Sequence, residues 1–146
     1  MKPVNPPSLG APRGYSHGIL APAGGRLLFI AGQNAAGAEG DVAAGGGFVA
    51  QFEVALSRVL AVLHEAGGEP GHIGRFTIYV TDLPAYEASR KEIGAAYRRL
   101  MGRHYPAVAL VEVKSLVDRG TVVEIEATAV LPPAGDSPGA AGTEAS

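Results

Sequence analysis

The chain has 146 residues, enough for one domain with a sizeable hydrophobic core. Hydrophobic residues make up 47% and charged residues 18%, a globular composition, and the net charge of -2 argues against nucleic acid as a partner, since phosphate backbones select a basic surplus. Cysteine is absent, which excludes disulfides, thiolate metal sites and cysteine nucleophiles and fits a reducing compartment.

Pro3, Pro6, Pro7 and Pro12 make residues 1–13 an extended N-terminal arm. No segment has the apolar run of a signal peptide or the roughly 20 apolar residues of a membrane span, so the expectation is a cytoplasmic protein without a membrane partner. Residues 15–21 read as a strand, followed by a turn at Ala23-Gly24-Gly25. Residues 26–34 form a second strand, almost continuously apolar, as for one buried on both faces. A Gly/Ala-rich loop covers 35–47. Phe48, Phe52, Leu56, Val59, Leu60 and Leu63 then have the spacing of an amphipathic helix over 48–66, ended by Gly67-Gly68. A third strand is predicted over 73–82, and a second helix over about 84–102 with Pro84 in its first turn. Strands at about 107–116 and 121–131 complete a domain spanning 14–131, and residues 132–146 read as a disordered tail.

The order ββαβαββ predicts an α+β fold: a mixed sheet with two helices on one face. In the last strand, Val123, Ile125, Ala127 and Ala129 are assigned to the helix layer, with Val122, Glu124, Glu126 and Thr128 opposite. Two helices cover one face only. The other face still carries apolar positions, and self-association would cover them.

Most familiar motifs fail on spacing. His64-Glu65 opens like a zinc-protease helix, but Gly68 stands where the second histidine is needed, and His17, His72 and His104 are scattered, so no metal site is predicted. Gly45-Gly46-Gly47 precedes a helix without the Lys-Ser/Thr of a phosphate loop. Ser16 and His17 are strand neighbours that point to opposite faces, so they cannot pair as nucleophile and base. Three features remain. Tyr15 and His17 share parity and can flank one pocket; Gly32-Gln33 ends a strand with exposed backbone; Glu124 and Glu126 sit mid-strand, where carboxylates line a cavity or pair with cations. Singly, each has a plainer role as a packing ring, a strand cap or a salt-bridge partner.

Together they form a pattern. Tyr15, Ala31-Gly32-Gln33, Gln51, Ala66-Gly67, Tyr79-Val80-Thr81-Asp82, Tyr105-Pro106-Ala107 and Val123-Glu124-Ile125-Glu126-Ala127 occur in an order and spacing that resemble the RidA/YjgF family of enamine/imine deaminases. The resemblance spans about 14–131. It implies a chorismate-mutase-like fold and a homotrimer with small-metabolite clefts between subunits, without metal or organic cofactor. It also implies that Tyr15 and the Ala31–Gln33 turn shape the pocket while Glu124 positions the hydrolytic water.

In active relatives an arginine after Pro-Ala grips the substrate carboxylate. Here that position is Val108, Leu110 replaces a residue that is commonly cysteine, and Ala31 replaces serine. Losing a clamp of charge-assisted bonds, about 1.5–3 kcal/mol each, lowers recognition of an imino acid by two or more orders of magnitude. Arg90, Arg103, His104, Lys114 and His17 are the candidates to stand in for it. Three functions follow in order: a divergent imine or enamine hydrolase with altered substrate, a trimer that binds a small metabolite without turnover, and an endoribonuclease or translation inhibitor. The acidic balance and the lack of any basic-aromatic cluster place the last lowest.

Overall fold

A computed structural model describes residues 1–37, 42 and 46–134; most of the tail expected from 132 onward lies outside the described residues. The elements are β1 (Lys2–Val4), β2 (Gly18–Leu20), β3 (Arg26–Gln33), α1 (Phe48–Glu65), β4 (Ile73–Val80), α2 (Leu83–Ala88), α3 (Arg90–Met101), β5 (Ala107–Glu112) and β6 (Val123–Leu131). The main sheet has the order β3-β6-β4-β5, and β1 pairs with β2 in a separate two-stranded ribbon. The architecture is the α+β arrangement expected, with a mixed sheet: β6 is antiparallel to both β3 and β4, and β4 is parallel to β5.

The core follows the alternation of β6. Val123, Ile125, Ala127 and Ala129 are buried under α1, whose Phe52, Leu56, Val59 and Leu63 form the facing stripe. Truncating a fully buried residue such as Leu63 to alanine should cost about 2–5 kcal/mol. Past the end of α1, Gly67 takes a positive φ of 78°, and Gly68 N–H donates to Leu63 O at 2.9 Å. At the start of α2, Asp82 Oδ1 accepts from Ala85 N at 2.8 Å.

Three differences from the sequence reading matter. First, β3 is not buried on both faces. It is an edge strand in which Leu28 and Ile30 turn toward α1, while Leu27 and Phe29 are 63% and 76% exposed. Its outer face is apolar but uncovered. Second, the helix expected over 84–102 is two helices. They meet at Ser89 (ψ 7°), whose N–H is shared by the carbonyls of Ala85 and Tyr86 at 3.1 Å each. Third, the N-terminal arm folds back, with Lys2 opposite Leu20 and Val4 opposite Gly18.

Candidate functional site

The residues singled out by the sequence sort into two groups. The first lies along β5. Ser16 forms a parallel bridge to Ala107, its N–H donates to Pro106 O at 2.9 Å, and its buried hydroxyl donates to Tyr105 O at 2.6 Å. These bonds fasten residues 15–17 along the free edge of the sheet. Tyr15 and His17 lie on either side of Ser16 with their rings edge-to-face, centroids 5.3 Å apart. His17 is engaged locally, its N–H donating to Asn5 Oδ1 at 2.8 Å and its Nε2 lying 3.2 Å from Gly10 O.

Because Val108 pairs with the buried Phe76 and Leu110 with Ile78, both point to the helix side of the sheet. There they line a pocket of about 660 Å³ together with Tyr15, Tyr86, Tyr97 and Arg90. Volumes of this order suit a small organic ligand. A smaller hollow of about 350 Å³, lined in part by His17, Arg75, Thr77 and Ala109, lies over the opposite face; Tyr15 and Val108 border both.

The second group lies where β3 meets β6. Ile30 pairs with Ala127 but Gln33 with Ile125, so β3 carries one extra residue at Ala31-Gly32. The bulge brings Gly32 against Glu124, whose carboxylate occupies the space a Cβ would take. Gln33 Nε2 turns back to Ala31 O at 3.2 Å. The next residue, Asn34, is buried, and its Nδ2 donates to Glu124 Oε2 at 3.1 Å and to Asp118 Oδ2 at 2.8 Å. Asn34 Oδ1 accepts from Ala36 N at 2.9 Å, and Arg58 Nη1 donates to the carbonyls of Asn34 and Ala36, each at 2.6 Å. Every hydrogen-bonding group of the Asn34 side chain is therefore used.

Within one subunit the two groups are apart. Strand β4 separates β5 from β6, roughly 10 Å at about 4.8 Å per strand, and Glu124 leaves the face opposite Val108 and Leu110. Glu126 shares the Glu124 face but is occupied differently, accepting from Tyr79 OH at 3.3 Å and lying 3.6 Å from Arg75 Nη2.

Among the cations considered as stand-ins for the missing arginine, Arg90 lines the larger pocket. Arg103, His104 and Lys114 do not, and His104 Nε2 lies 2.7 Å from Ile73 O. The sequence reading missed Arg13 and Arg98, which line the same pocket. It also missed Tyr97, whose hydroxyl donates to His104 O at 2.8 Å and whose ring stacks on Tyr105 at 5.6 Å. Burial pushes the Tyr97 phenol well above its ordinary pKa, and the neighbouring Tyr105 adds to the shift. The absence of a basic-aromatic cluster expected from sequence does not hold: the fold gathers Arg13, Arg90 and Arg98 with tyrosines 15, 86, 97 and 105 around one pocket. Among the described residues no three or more His, Asp or Glu side chains are grouped so that they could hold a metal ion, and no helix is long and apolar enough to cross a membrane.

Residues 7–131, almost all of the folded chain, match the family described as Endoribonuclease L-PSP, and the solved structures that share the fold include members of the Rid and YjgF proteins. The chain belongs to the RidA/YjgF family. Protein DfrA of Myxococcus xanthus is 34% identical over 116 residues, covering 80% of this chain and 84% of that protein. The Rid-family protein YyfB of Yersinia pestis superposes with a TM-score of 0.76 at 31% identity, over 89% of this chain and 98% of YyfB. TdcF of E. coli, solved with bound serine, superposes with a TM-score of 0.62 at 27% identity, over 84% of this chain and 92% of TdcF. Family membership thus rests on nearly the whole domain.

Proposed function

We propose that this chain is a RidA-family subunit that assembles as a homotrimer and takes a small metabolite in clefts between copies, where it hydrolyses an imine or enamine. One observation carries the reading: the expected pocket residues Tyr15, Val108 and Leu110 line one side of the subunit, while Glu124 and the Ala31–Gln33 bulge lie on the other. A cleft that joins the β5 edge of one copy to the β3–β6 side of another would reunite them. The exposed Leu27 and Phe29 lie on that second side and would be covered by the same contact.

In this cleft Glu124 would hold and deprotonate the attacking water, and Asn34 would fix the carboxylate's orientation. Tyr15 and the Val108–Leu110 wall would pack on the substrate body. The serine bound to TdcF supports a small amino-acid-like ligand for the family fold. Release of ammonia from enzymatically generated imines, with the unreacted imine trapped by semicarbazide, tests the reaction. Acceleration lost in Glu124→Gln supports it, and a rate equal to that of buffer contradicts it.

The second reading is binding without turnover, favoured by the apolar Val108 where active relatives carry arginine. Ligand binding by calorimetry with no ammonia release would select it.

A further inference from the structure

The larger pocket has a polar rim that apolar Val108 and Leu110 do not explain. Arg90, Gly94 and Arg98 stand at i, i+4 and i+8 on α3 and all three line the pocket. Gly94 is mid-helix, where glycine is less favourable than alanine. Nothing in the packing demands it. Its φ is not positive, and a Cβ there would meet no atom closer than Arg98 Nη1 at 3.6 Å, an ordinary contact. What glycine preserves is room for the Arg98 guanidinium to lie back across the helix over Gly94, toward Arg90. The Cα atoms of the two arginines are about 12 Å apart at 1.5 Å per residue, a span that two arginine side chains can close.

The charges there have few competitors. No Asp or Glu lines the pocket, and Arg98 has no ion pair among the described residues. Arg90 lies over the Tyr86 ring at 5.6 Å and 3.7 Å from Glu87, an exposed pair that water weakens. The wall facing α3 is apolar: Phe52, Ile78 and Leu110.

We propose that Arg90 and Arg98 grip a ligand carboxylate over the Gly94 turn of α3, and that the ligand carries a bulky apolar or aromatic body seated on Phe52, Ile78 and Leu110. This rests on the reading of the pocket as the family's metabolite site and adds the ligand class and the residues that select it. The clamp that active relatives place on β5 is here on α3. Such a pocket prefers an amphipathic carboxylate to a three-carbon one, because the apolar wall rewards buried surface. It prefers carboxylate to a neutral amide, because a guanidinium pair is left unmatched by an uncharged group.

The test is calorimetric titration of the full-length protein with 3-phenylpropanoate, propanoate, 3-phenylpropanamide and adenosine 5′-monophosphate, with Tm measured for each variant. Wild type should bind 3-phenylpropanoate at least about tenfold tighter than propanoate or the amide, and binding should weaken as salt rises. Arg90→Gln and Arg98→Gln should each lose about tenfold, whereas Arg99→Gln, which removes the ion pair to Glu53 outside the pocket, should lose nothing. Gly94→Leu should leave Tm equal or higher, since leucine is the better helix former, yet abolish binding by displacing the Arg98 guanidinium that lies over Gly94. Unchanged affinity in both Arg90→Gln and Arg98→Gln, equal affinity for acid and amide, or tighter binding of the nucleotide would each overturn the proposal. Failure to bind any of the acids would overturn it too. Imine hydrolysis measured in the same preparation shows whether the reading beneath it falls as well.

Discussion

Asn34 and Glu124 are joined by a hydrogen bond of 3.1 Å from the amide nitrogen to Oε2, and the same nitrogen donates to Asp118 at 2.8 Å. One neutral side chain thus separates two carboxylates that would otherwise repel and turn toward solvent. Asn34→Leu should therefore lower stability by about 1–3 kcal/mol, since it leaves partners unsatisfied and two like charges unshielded. Denaturant unfolding of the two proteins measures this. A change within about 0.5 kcal/mol would mean that the junction does not hold the β3–β6 corner.

The two glutamates of β6 should separate in function. Glu124→Gln should lower kcat by about 10²–10⁴-fold with a much smaller change in ligand affinity, as for a group that acts on water in the transition state. Glu126 is held by Tyr79 and Arg75, so Glu126→Gln should change kcat by less than about tenfold. Equal losses at both positions would place their importance in the subunit contact instead.

Phe29→Glu should dissociate the assembly without unfolding it. Phe29 is 76% exposed on the open face, so a charge there meets water in the isolated subunit but would meet an apolar partner in the proposed assembly. Light scattering should report a mass falling toward one subunit with an unchanged far-UV circular dichroism spectrum. An unchanged mass would move the contact elsewhere.

Val108→Arg should gain affinity for small carboxylates such as 2-oxobutanoate. The side chain at 108 points to the helix side, away from the Glu124 of its own subunit, so within one copy that carboxylate cannot neutralise it. Arg90 and Arg98 line the same pocket and repel a third guanidinium, so the gain should be modest, about three- to tenfold. Calorimetric titration of both proteins shows it, and no gain would indicate that position 108 does not face the ligand.

Much of the fold was legible because local periodicity carries it. Phe52, Leu56, Val59 and Leu63 define one helix face, and the two parities of β6 define a buried and an open side. What alternation does not carry is which strand lies next to which. Insertion of β6 between β3 and β4 depends on long-range pairing, and so does the fate of Leu27 and Phe29, which read as core and stand uncovered in the subunit. For the site, Tyr15, Val108, Leu110 and Glu124 were visible only through resemblance and parity. Their division between opposite faces follows from the register of β5 on β4 and could not be read locally. Asn34 and Asp118 went unseen because their partners lie more than eighty residues away in sequence or across a loop. Arg90, Gly94 and Arg98 did carry a signal, a helix-interior glycine between arginines at four-residue spacing, and it gains meaning only once Val108 is known to face it.

The central claim is that each site is completed by two copies of the chain, and subunit mixing tests it most directly. Glu124→Gln damages one half of the site and Val108→Asp the other, and each alone should be inactive. The two variants are mixed, dissociated in mild denaturant and reassembled, with hybrid assemblies confirmed by native mass spectrometry. If the halves come from different subunits, hydrolysis of the imine should return to about a quarter of the wild-type rate, the share of random pairings that unite two intact halves. Hybrids that form and stay inactive would contradict the account.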